Sequence, residues 1–204
     1  MMSTSYCPMG EENERQAGLQ GFKSFHSISN GKRKRKAKKT FTSESNFSST
    51  SEAIALLSNL FFPIVVVTNQ AGIGKGLMST QQLLEIHHWM LQQVEATGGR
   101  IDRVYFCPNR SEEGADCRKP AIGMGIKARQ DFPEMRLDAA WIVGDSISDI
   151  EFGNRMGIKT ALVEGKEEEK ELQQSIRVDW RGPSLLAFAQ HLMASAPVKI
   201  SQPD

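Results

Sequence analysis

The stretch from Ile142 to Val163 reads IVGDSISDIEFGNRMGIKTALV, and it decides the fold class. It continues an apolar strand, AAWIV over 139–143, which turns at Gly144-Asp145. The following segment has a helical pattern and closes at Met156-Gly157, where glycine is typical of a helix end. A second apolar strand, KTALV, covers Lys159 to Val163. A strand, a helix and a strand in succession predict two parallel strands joined by a right-handed crossover.

The same alternation continues on both sides of this unit. Continuously apolar strands that alternate with helices indicate a parallel sheet that is buried on both faces. The sequence therefore predicts an α/β, Rossmann-like fold with helices on both faces of the sheet. The further elements expected are a strand over 61–67, a helix from the cap Ser79 to about Ala96, a strand over 103–107, a helix over 124–132, a charged helix from about Lys166, a weak strand over 176–180 and a last helix over 183–193.

Polar side chains follow three of the predicted strands at their carboxyl ends, where ligands bind in such sheets. Thr68, Asn69 and Gln70 precede a glycine-rich turn and offer a hydroxyl, two amides and backbone N–H groups to an anion. An ordinary turn stabilised by side-chain hydrogen bonds is the simpler interpretation of these residues taken alone. Arg118-Lys119 offers a planar guanidinium and a compact ammonium to a phosphate, although a solvated surface pair is the simpler interpretation.

Two aspartates follow the strand at 139–143. Asp145 stands at the predicted edge of the sheet, and Asp149 comes one helical turn later. Carboxylate oxygens there suit Mg²⁺, which takes oxygen ligands and keeps several waters. The alternative is that Asp145 and Ser146 cap the next helix.

In combination, four ordered segments resemble the haloacid dehalogenase (HAD) phosphatases, subfamily IIIA. The segments are VVVTNQAGIGKG, GGRIDRVYFCP, CRKP and IVGDSISDIEFGNRMGIKTALV. They are similar to the capless group that contains the D-glycero-D-manno-heptose 1,7-bisphosphate phosphatases and the histidinol-phosphatases. The resemblance implies Mg²⁺-dependent hydrolysis of a small phosphate monoester, most closely the 7-phosphate of a heptose bisphosphate, in carbohydrate metabolism. Histidinol phosphate stays open as the substrate.

The resemblance also implies roles for individual residues. Thr68 and Lys119 would stabilise the phosphoryl group, and Asn69, Gln70 and Ala71 would line the substrate. Arg118 would recognise the substrate. Asp145 would bind Mg²⁺, with Asp149 orienting that site. Family members form an aspartyl-phosphate on one aspartate and use a second, two residues later, as the general acid and base.

The nucleophile motif of the family is missing from this chain. It belongs on a strand before Thr68, but the first aspartate of the chain is Asp102, and the weak strand candidate at 22–28 carries no acid. We therefore expect impaired hydrolysis; a catalytically inactive relative that binds a phosphorylated sugar is the alternative. Loss of the first strand also predicts unpaired edges on the neighbouring strands and low solubility.

The zinc site of the relatives is also incomplete. They hold Zn²⁺ with a Cys-x-His and a Cys-x-Cys pair before the Arg-Lys-Pro motif. Here the pairs read Cys107-Pro108-Asn109 and Ala115-Asp116-Cys117. Two remaining thiolates are too few for a closed structural site, so we predict no zinc. His87 and His88 lie on the helix from Ser79 and are expected to be packing and surface residues.

Composition defines the boundaries of the expected domain. The chain has 204 residues, 39% apolar and 24% charged, with a net charge of +1. Residues 1–51 contain the basic run KRKRKAKK at 32–39 and a Ser/Thr-rich stretch, and they are expected to be disordered or aberrant. The phosphatase domain is expected over 52–194 and a tail over 195–204.

The remaining expectations concern partners and location. The longest apolar run is too short and too interrupted to span a membrane, and no signal peptide pattern is present. The protein is therefore expected to be a cytoplasmic monomer with reduced cysteines. The basic run could bind nucleic acid or act as a targeting signal, but no specific nucleic-acid function is expected.

Overall fold

The computed structural model describes residues 10–12, 41–164 and 176–195 of the chain, and these form an α/β fold. Strands and helices alternate as the sequence predicts. Two strands have the predicted bounds, whereas the strand expected over 61–67 starts later and ends on Asn69. In chain order the elements are β1 (Gly10–Glu12), α1 (Phe41–Ser58), β2 (Val65–Asn69), α2 (Ala71–Gly74), α3 (Thr80–Ala96), β3 (Arg103–Cys107), a 3₁₀ turn (Ser111–Glu113), α4 (Gly123–Asp131), β4 (Trp141–Gly144), α5 (Ile147–Met156), β5 (Lys159–Val163), β6 (Trp180–Gly182) and α6 (Leu185–Ser195).

The described strands form two separate three-stranded sheets. Their orders are β1-β3-β2 and β4-β5-β6. The short strand β1 pairs with β3 in the antiparallel direction, and every other pair is parallel. Among the described strands, β2 and β4 are not paired with each other, and the unpaired edges and low solubility stay predictions.

Helices cover both faces of the first sheet. On one face, α3 places Leu91 and Val94 against Val104 of β3. On the other face, α4 places Met124 and Ala128 in one cluster with Tyr105. Since successive residues of a strand point to opposite faces, the adjacent residues Val104 and Tyr105 anchor the two layers.

The second sheet is covered in the same way. On one face, Ala161 of β5 and Phe188 of α6 belong to a buried cluster that includes Leu57 of α1. On the other face, α5 lies very close to the sheet, because a Cβ atom on Gly153 would come within 2.5 Å of Ile142 Cγ2. The prediction of helices on both faces is therefore confirmed for both sheets.

The first long helix, α1, corrects the predicted domain boundary. It begins at Phe41, so part of the segment expected to be disordered or aberrant is helical, and the predicted boundary after residue 51 falls inside a helix. Ser51 is buried, and its carbonyl accepts a hydrogen bond of 3.3 Å from the Thr97 hydroxyl. Tertiary packing at Ser51 thus supports the helix at the end of the Ser/Thr-rich segment.

Several predictions lie outside the described residues. These are the basic run at 32–39, the weak strand at 22–28, the charged helix from about Lys166 and all of the tail over 195–204 except Ser195.

Candidate functional site

The turn after β2 brings the first candidate residues to the carboxyl edge of the sheet. Thr68 is in β2, and its hydroxyl accepts a hydrogen bond of 3.2 Å from Gln70 Nε2. The backbone N–H of Gln70 donates to the carbonyl of Cys107 at 2.7 Å, so the turn is attached to the end of β3. Glycine is also required at position 74, at the end of α2, because a Cβ atom there would lie 2.7 Å from the carbonyl oxygen of Pro108.

The side chain of Asn69 fixes the backbone of Lys119. Its Nδ2 donates to the Lys119 carbonyl at 3.1 Å, and its Oδ1 accepts from the Lys119 N–H at 3.0 Å. Such a two-point contact holds a loop residue in register with the end of β2. The sequence predicts Asn69 as a substrate-lining residue, whereas the structure places its amide on the protein backbone.

The ammonium of Lys119 links the two sheets. Its Nζ lies 2.6 Å from the carbonyl oxygen of Val67 in β2 and 2.6 Å from Asp149 Oδ1 in α5. The side chains of Lys119 and Asp149 are only 11% and 9% exposed, respectively. At this burial, removing either side chain would leave the other poorly solvated and without its ion-pair partner.

Asp149 is held at its second carboxylate oxygen by the start of α5. Ser146 donates to Asp149 Oδ2 from its hydroxyl at 2.7 Å and from its backbone N–H at 3.2 Å. The Ser146 and Asp149 side chains form a capping box, which gives the carboxylate a fixed place in the first turn. Gly144 makes room for it, since a Cβ atom there would overlap the Asp149 carboxyl group.

The side chain of Arg118 is positioned by a different contact from those that position Lys119. Its Nη1 donates to the carbonyl of Asn109 at 3.1 Å, so its position follows the loop after β3. That loop is closed by a disulfide between Cys107 and Cys117, whose Cα atoms are 5.5 Å apart. The expectation of reduced cysteines is therefore wrong for this pair, because the turn brings the two buried side chains together. The absence of zinc stays a prediction.

The fit to Mg²⁺ depends on Asp145. Its side chain is exposed directly after β4. Both oxygens of Asp149 are engaged by Lys119 and Ser146. The described residues contain no group of three or more His, Cys, Asp or Glu side chains around a common metal position. A Mg²⁺ ion bound through one carboxylate together with phosphate and water fits this donor set, but a metal enclosed by protein ligands does not.

The structure brings most of the predicted residues to one edge. Lys119 contacts Asp149 and the carbonyl of Val67, the residue before Thr68, and Ala71 begins α2 in the adjoining turn. Sequence reasoning missed the part played by Ser146 in holding Asp149. Its signal was present, since a serine three residues before an acid at a helix start is typical of a capping box.

The two histidines of α3 lie as expected. His87 is buried, with its ring 5.9 Å from that of Phe106, and His88 is exposed.

Comparisons with known proteins identify the family. The HAD-hydrolase-like family model matches residues 116–187. The heptose-1,7-bisphosphate 7-phosphatase of Pseudomonas putida is 34% identical over 125 residues, which cover 61% of this chain and 71% of that protein. The chain belongs to the HAD phosphatase family. The members of this family that it matches hydrolyse phosphate monoesters.

Other relatives agree with this HAD assignment. The 7-phosphatases of Neisseria meningitidis and Burkholderia mallei are 35% and 41% identical over 60% and 48% of this chain. The chain spans 65% and 56% of their lengths, less than two thirds.

Solved structures share the fold. The D,D-heptose 1,7-bisphosphate phosphatase of B. bronchiseptica, complexed with magnesium and phosphate, has a TM-score of 0.66 at 30% identity. The match covers 72% of this chain and 83% of that one. The Burkholderia thailandensis phosphatase has a TM-score of 0.52 at 31% identity, over 72% of this chain and 84% of that one. Mg²⁺ is therefore a cofactor that fits the family.

None of the helices in the described part of the chain combines the length and the apolarity needed to span a bilayer.

Proposed function

We propose that this chain binds a small phosphorylated sugar, D-glycero-D-manno-heptose 1,7-bisphosphate, at the carboxyl ends of β2, β3 and β4, and that its hydrolysis of the 7-phosphate is impaired. The observation that carries the proposal is that the Lys119 ammonium contacts both Asp149 and the carbonyl of Val67, directly before Thr68 at the end of β2. The four motif segments and the names of the relatives support the choice of ligand.

The chemistry of the site suits a phosphate group. The Thr68 hydroxyl and the backbone N–H groups of the following turn offer neutral donors. Lys119 offers a cation whose backbone is fixed by Asn69, so little entropy is lost when it meets an anion. Arg118 has a separate support and offers a guanidinium to the part of the ligand that extends from the sheet edge.

Asp145 is the residue proposed to hold Mg²⁺ beside the bound phosphate. The ion, when bound, would offset the negative charge of the phosphate oxygens. Asp149 supports this region indirectly, because it keeps the Lys119 ammonium at the end of β2.

Impaired hydrolysis follows from the residues before Thr68. No aspartate precedes Asp102, so the chain offers no aspartate ahead of β2 to form a phosphoenzyme or to act as acid and base. The described site thus contains groups that bind and neutralise a phosphate without the carboxylate pair that the family uses to transfer it.

The test measures binding and turnover separately on the folded full-length chain. Phosphate release from heptose 1,7-bisphosphate and from histidinol phosphate is followed with Mg²⁺ present, and binding of both is measured by calorimetry. The variants are Thr68→Val, Arg118→Gln and Asp145→Asn. Arg136→Gln is the matched control, because its guanidinium is exposed and pairs only with the exposed Asp138 among the contacts described.

We expect heptose bisphosphate to bind, the site variants to weaken binding and the control to leave it unchanged. Slow or absent phosphate release then supports the proposal. Rapid release that Asp145→Asn abolishes would show that the impairment is wrong. Absence of binding, or binding that the site variants leave unchanged, would refute the site, and a preference for histidinol phosphate would refute the ligand.

A further inference from the structure

The loop that follows β3 is fixed at both ends and exposed between them. At its start, the Cys107 carbonyl accepts from the N–H of Gln70 at 2.7 Å. At its end, the Asp116 carbonyl accepts from the N–H of Gly123 at 2.9 Å. The residues between, 110–114, are all exposed. The middle of the loop thus projects into solvent, while its two ends are attached to the fold.

A disulfide joins the two ends of this loop inside the protein. Cys107 and Cys117 are both buried, and the bond between them closes a ring that contains the whole exposed segment. Within that segment Arg110 pairs with Glu113 at 2.8 Å, but both residues are exposed, and ion pairs at such positions contribute little. The covalent bond therefore constrains a segment that its own ion pairs hold weakly.

The buried side of the ring also accommodates two thiols. The Oδ1 atom of Asn109 lies 3.8 Å from Cys107 Sγ and 3.7 Å from Cys117 Sγ. Its amide is oriented by Glu113, because Nδ2 donates to Glu113 Oε2 at 2.6 Å. An amide oxygen has two lone pairs, so it can accept from both S–H groups once the disulfide is reduced. The cluster thus suits the cysteine pair in either oxidation state.

The ring also contains the atom that positions the Arg118 guanidinium. Cys117 directly precedes Arg118, and Arg118 Nη1 donates to the Asn109 carbonyl at 3.1 Å. Lys119 differs from its neighbour, because its backbone is held by Asn69 at the end of β2, outside the ring. Opening the ring should therefore release Arg118 and leave Lys119 in place.

We propose that the Cys107–Cys117 pair is a thiol–disulfide switch that controls ligand affinity through Arg118. The inference rests on the proposed function, since it concerns how the same site holds a bisphosphate. With the disulfide formed, the guanidinium is held ready for the part of the ligand beyond the 7-phosphate. With the disulfide reduced, the loop loses its covalent closure, and each ligand that binds has to order Arg118 at a cost in entropy. The phosphate contacts expected of Thr68 and Lys119 do not depend on the ring.

The switching step is a thiol–disulfide exchange with a dithiol. One thiolate of the reductant attacks a sulfur of the pair, so that the Cys107–Cys117 bond breaks and a mixed disulfide forms. The second thiol of the reductant then displaces the remaining cysteine. In total the dithiol loses two electrons and two protons and becomes a disulfide, and the pair gains them as two S–H groups. Because the sulfurs are buried, the attack requires local opening of the exposed segment 110–114.

The test compares two ligands on the full chain in two oxidation states. Binding of heptose 1,7-bisphosphate and of inorganic phosphate is measured by calorimetry with Mg²⁺ present, after mild oxidation and after treatment with dithiothreitol. Thiols are counted in the denatured protein to assign the state. Arg118→Gln removes the guanidinium, and Arg136→Gln is its matched control. Cys7→Ser is the control for the third cysteine of the sequence.

A second measurement follows the loop without any ligand. The variant that combines Cys107→Ala with Cys117→Ala has an open loop in the absence of reductant, and circular dichroism checks that it is folded. Trypsin cleavage after Arg110 is then compared between this variant and the oxidised chain by mass spectrometry.

We expect reduction to weaken bisphosphate binding about tenfold, the contribution of one hydrogen bond to a charged group, and to leave phosphate binding unchanged. The alanine variant should bind like the reduced chain with and without dithiothreitol, and it should be cleaved faster after Arg110. Arg118→Gln should bind the bisphosphate weakly in both states, whereas Arg136→Gln and Cys7→Ser should keep the full dependence on oxidation state.

Equal bisphosphate affinity in the two states would overturn the switch and leave the proposed function intact. A dependence on oxidation state that persists in Arg118→Gln, or that affects phosphate equally, would also overturn it, as would equal cleavage after Arg110. Three thiols per chain after mild oxidation would overturn it as well, because the pair would then not form the disulfide. Failure of both ligands to bind in either state would refute the proposed function and the switch with it.

Discussion

The contact between Lys119 and Asp149 predicts a large and specific loss of stability on substitution. Lys119→Met keeps the apolar stem of the side chain but removes the ammonium, and therefore both of its 2.6 Å contacts. The Asp149 carboxylate would then remain at 9% exposure with only Ser146 as a described partner. Asp149→Asn is the complementary change, since it removes the negative charge and keeps the shape.

The expected magnitude follows from burial. Removing one member of a buried pair costs about 3–5 kcal/mol, because the other charge is left without a partner. The lower end applies here, since Ser146 still donates twice to Asp149, so we expect about 3 kcal/mol for Lys119→Met. For a chain of this size the midpoint of thermal unfolding should fall by roughly 6–12 °C.

The assay is a double-mutant cycle on the free energy of unfolding in urea. Trp141 and Trp180 report on unfolding, because both rings lie 5.1 Å from the ring of Phe188 in the buried cluster. The double variant should lose much less than the sum of the single losses, which gives a coupling energy of about 2 kcal/mol. A coupling below about 0.5 kcal/mol would refute the reasoning, since the two groups would then contribute independently.

Three further changes have defined outcomes. Cys107→Ala with Cys117→Ala opens a loop that spans 10 positions and should lower the free energy of unfolding by about 2.7 kcal/mol, a loss that dithiothreitol should reproduce in the unmodified chain. Equal urea midpoints with and without reductant would contradict this. Burial lowers the pKa of His87, so the unfolded chain takes up the proton first as the pH falls. Stability should therefore decrease below about pH 6.5, and urea midpoints of His87→Leu should not show that decrease. Gly144→Ala should destabilise the chain by about 1–3 kcal/mol in thermal unfolding, because the added methyl group overlaps Asp149; an unchanged midpoint would show that α5 shifts freely.

The sequence predicts the fold well where local signals are strong. The strands at 103–107 and 159–163 and the capped helix from Ser79 have the expected bounds, because apolar runs and a capping box are local features. The start of α1 was missed, since its Ser/Thr-rich first turns carry no apolar period. The packing of Ser51 beside Thr97 depends on a residue far away in the chain.

In the candidate site, too, the sequence predicts the residues that belong to local motifs but not the contacts that loop conformation creates. Thr68, Lys119 and Asp149 were found from motifs, and topology brings them together. Loop conformation sets two further contacts that no motif predicts. Asn69 holds the backbone of Lys119, and the Arg118 guanidinium is positioned by its hydrogen bond to the Asn109 carbonyl. No pattern in the sequence encodes the Cys107–Cys117 disulfide, because the same spacing serves a metal site or two free thiols.

The position of α1 has a consequence for how the chain reaches its folded state. This helix stands near the start of the described chain, yet it packs on α6, at the other end. A ribosome therefore releases α1 long before α6, and the side chains of α1 that pack on α6 stay uncovered until nearly the whole described chain has emerged. Contacts between such distant segments slow folding, since a long loop must close before they form. During synthesis the apolar side of α1 is thus exposed until α6 emerges, which makes it a surface for a chaperone to protect.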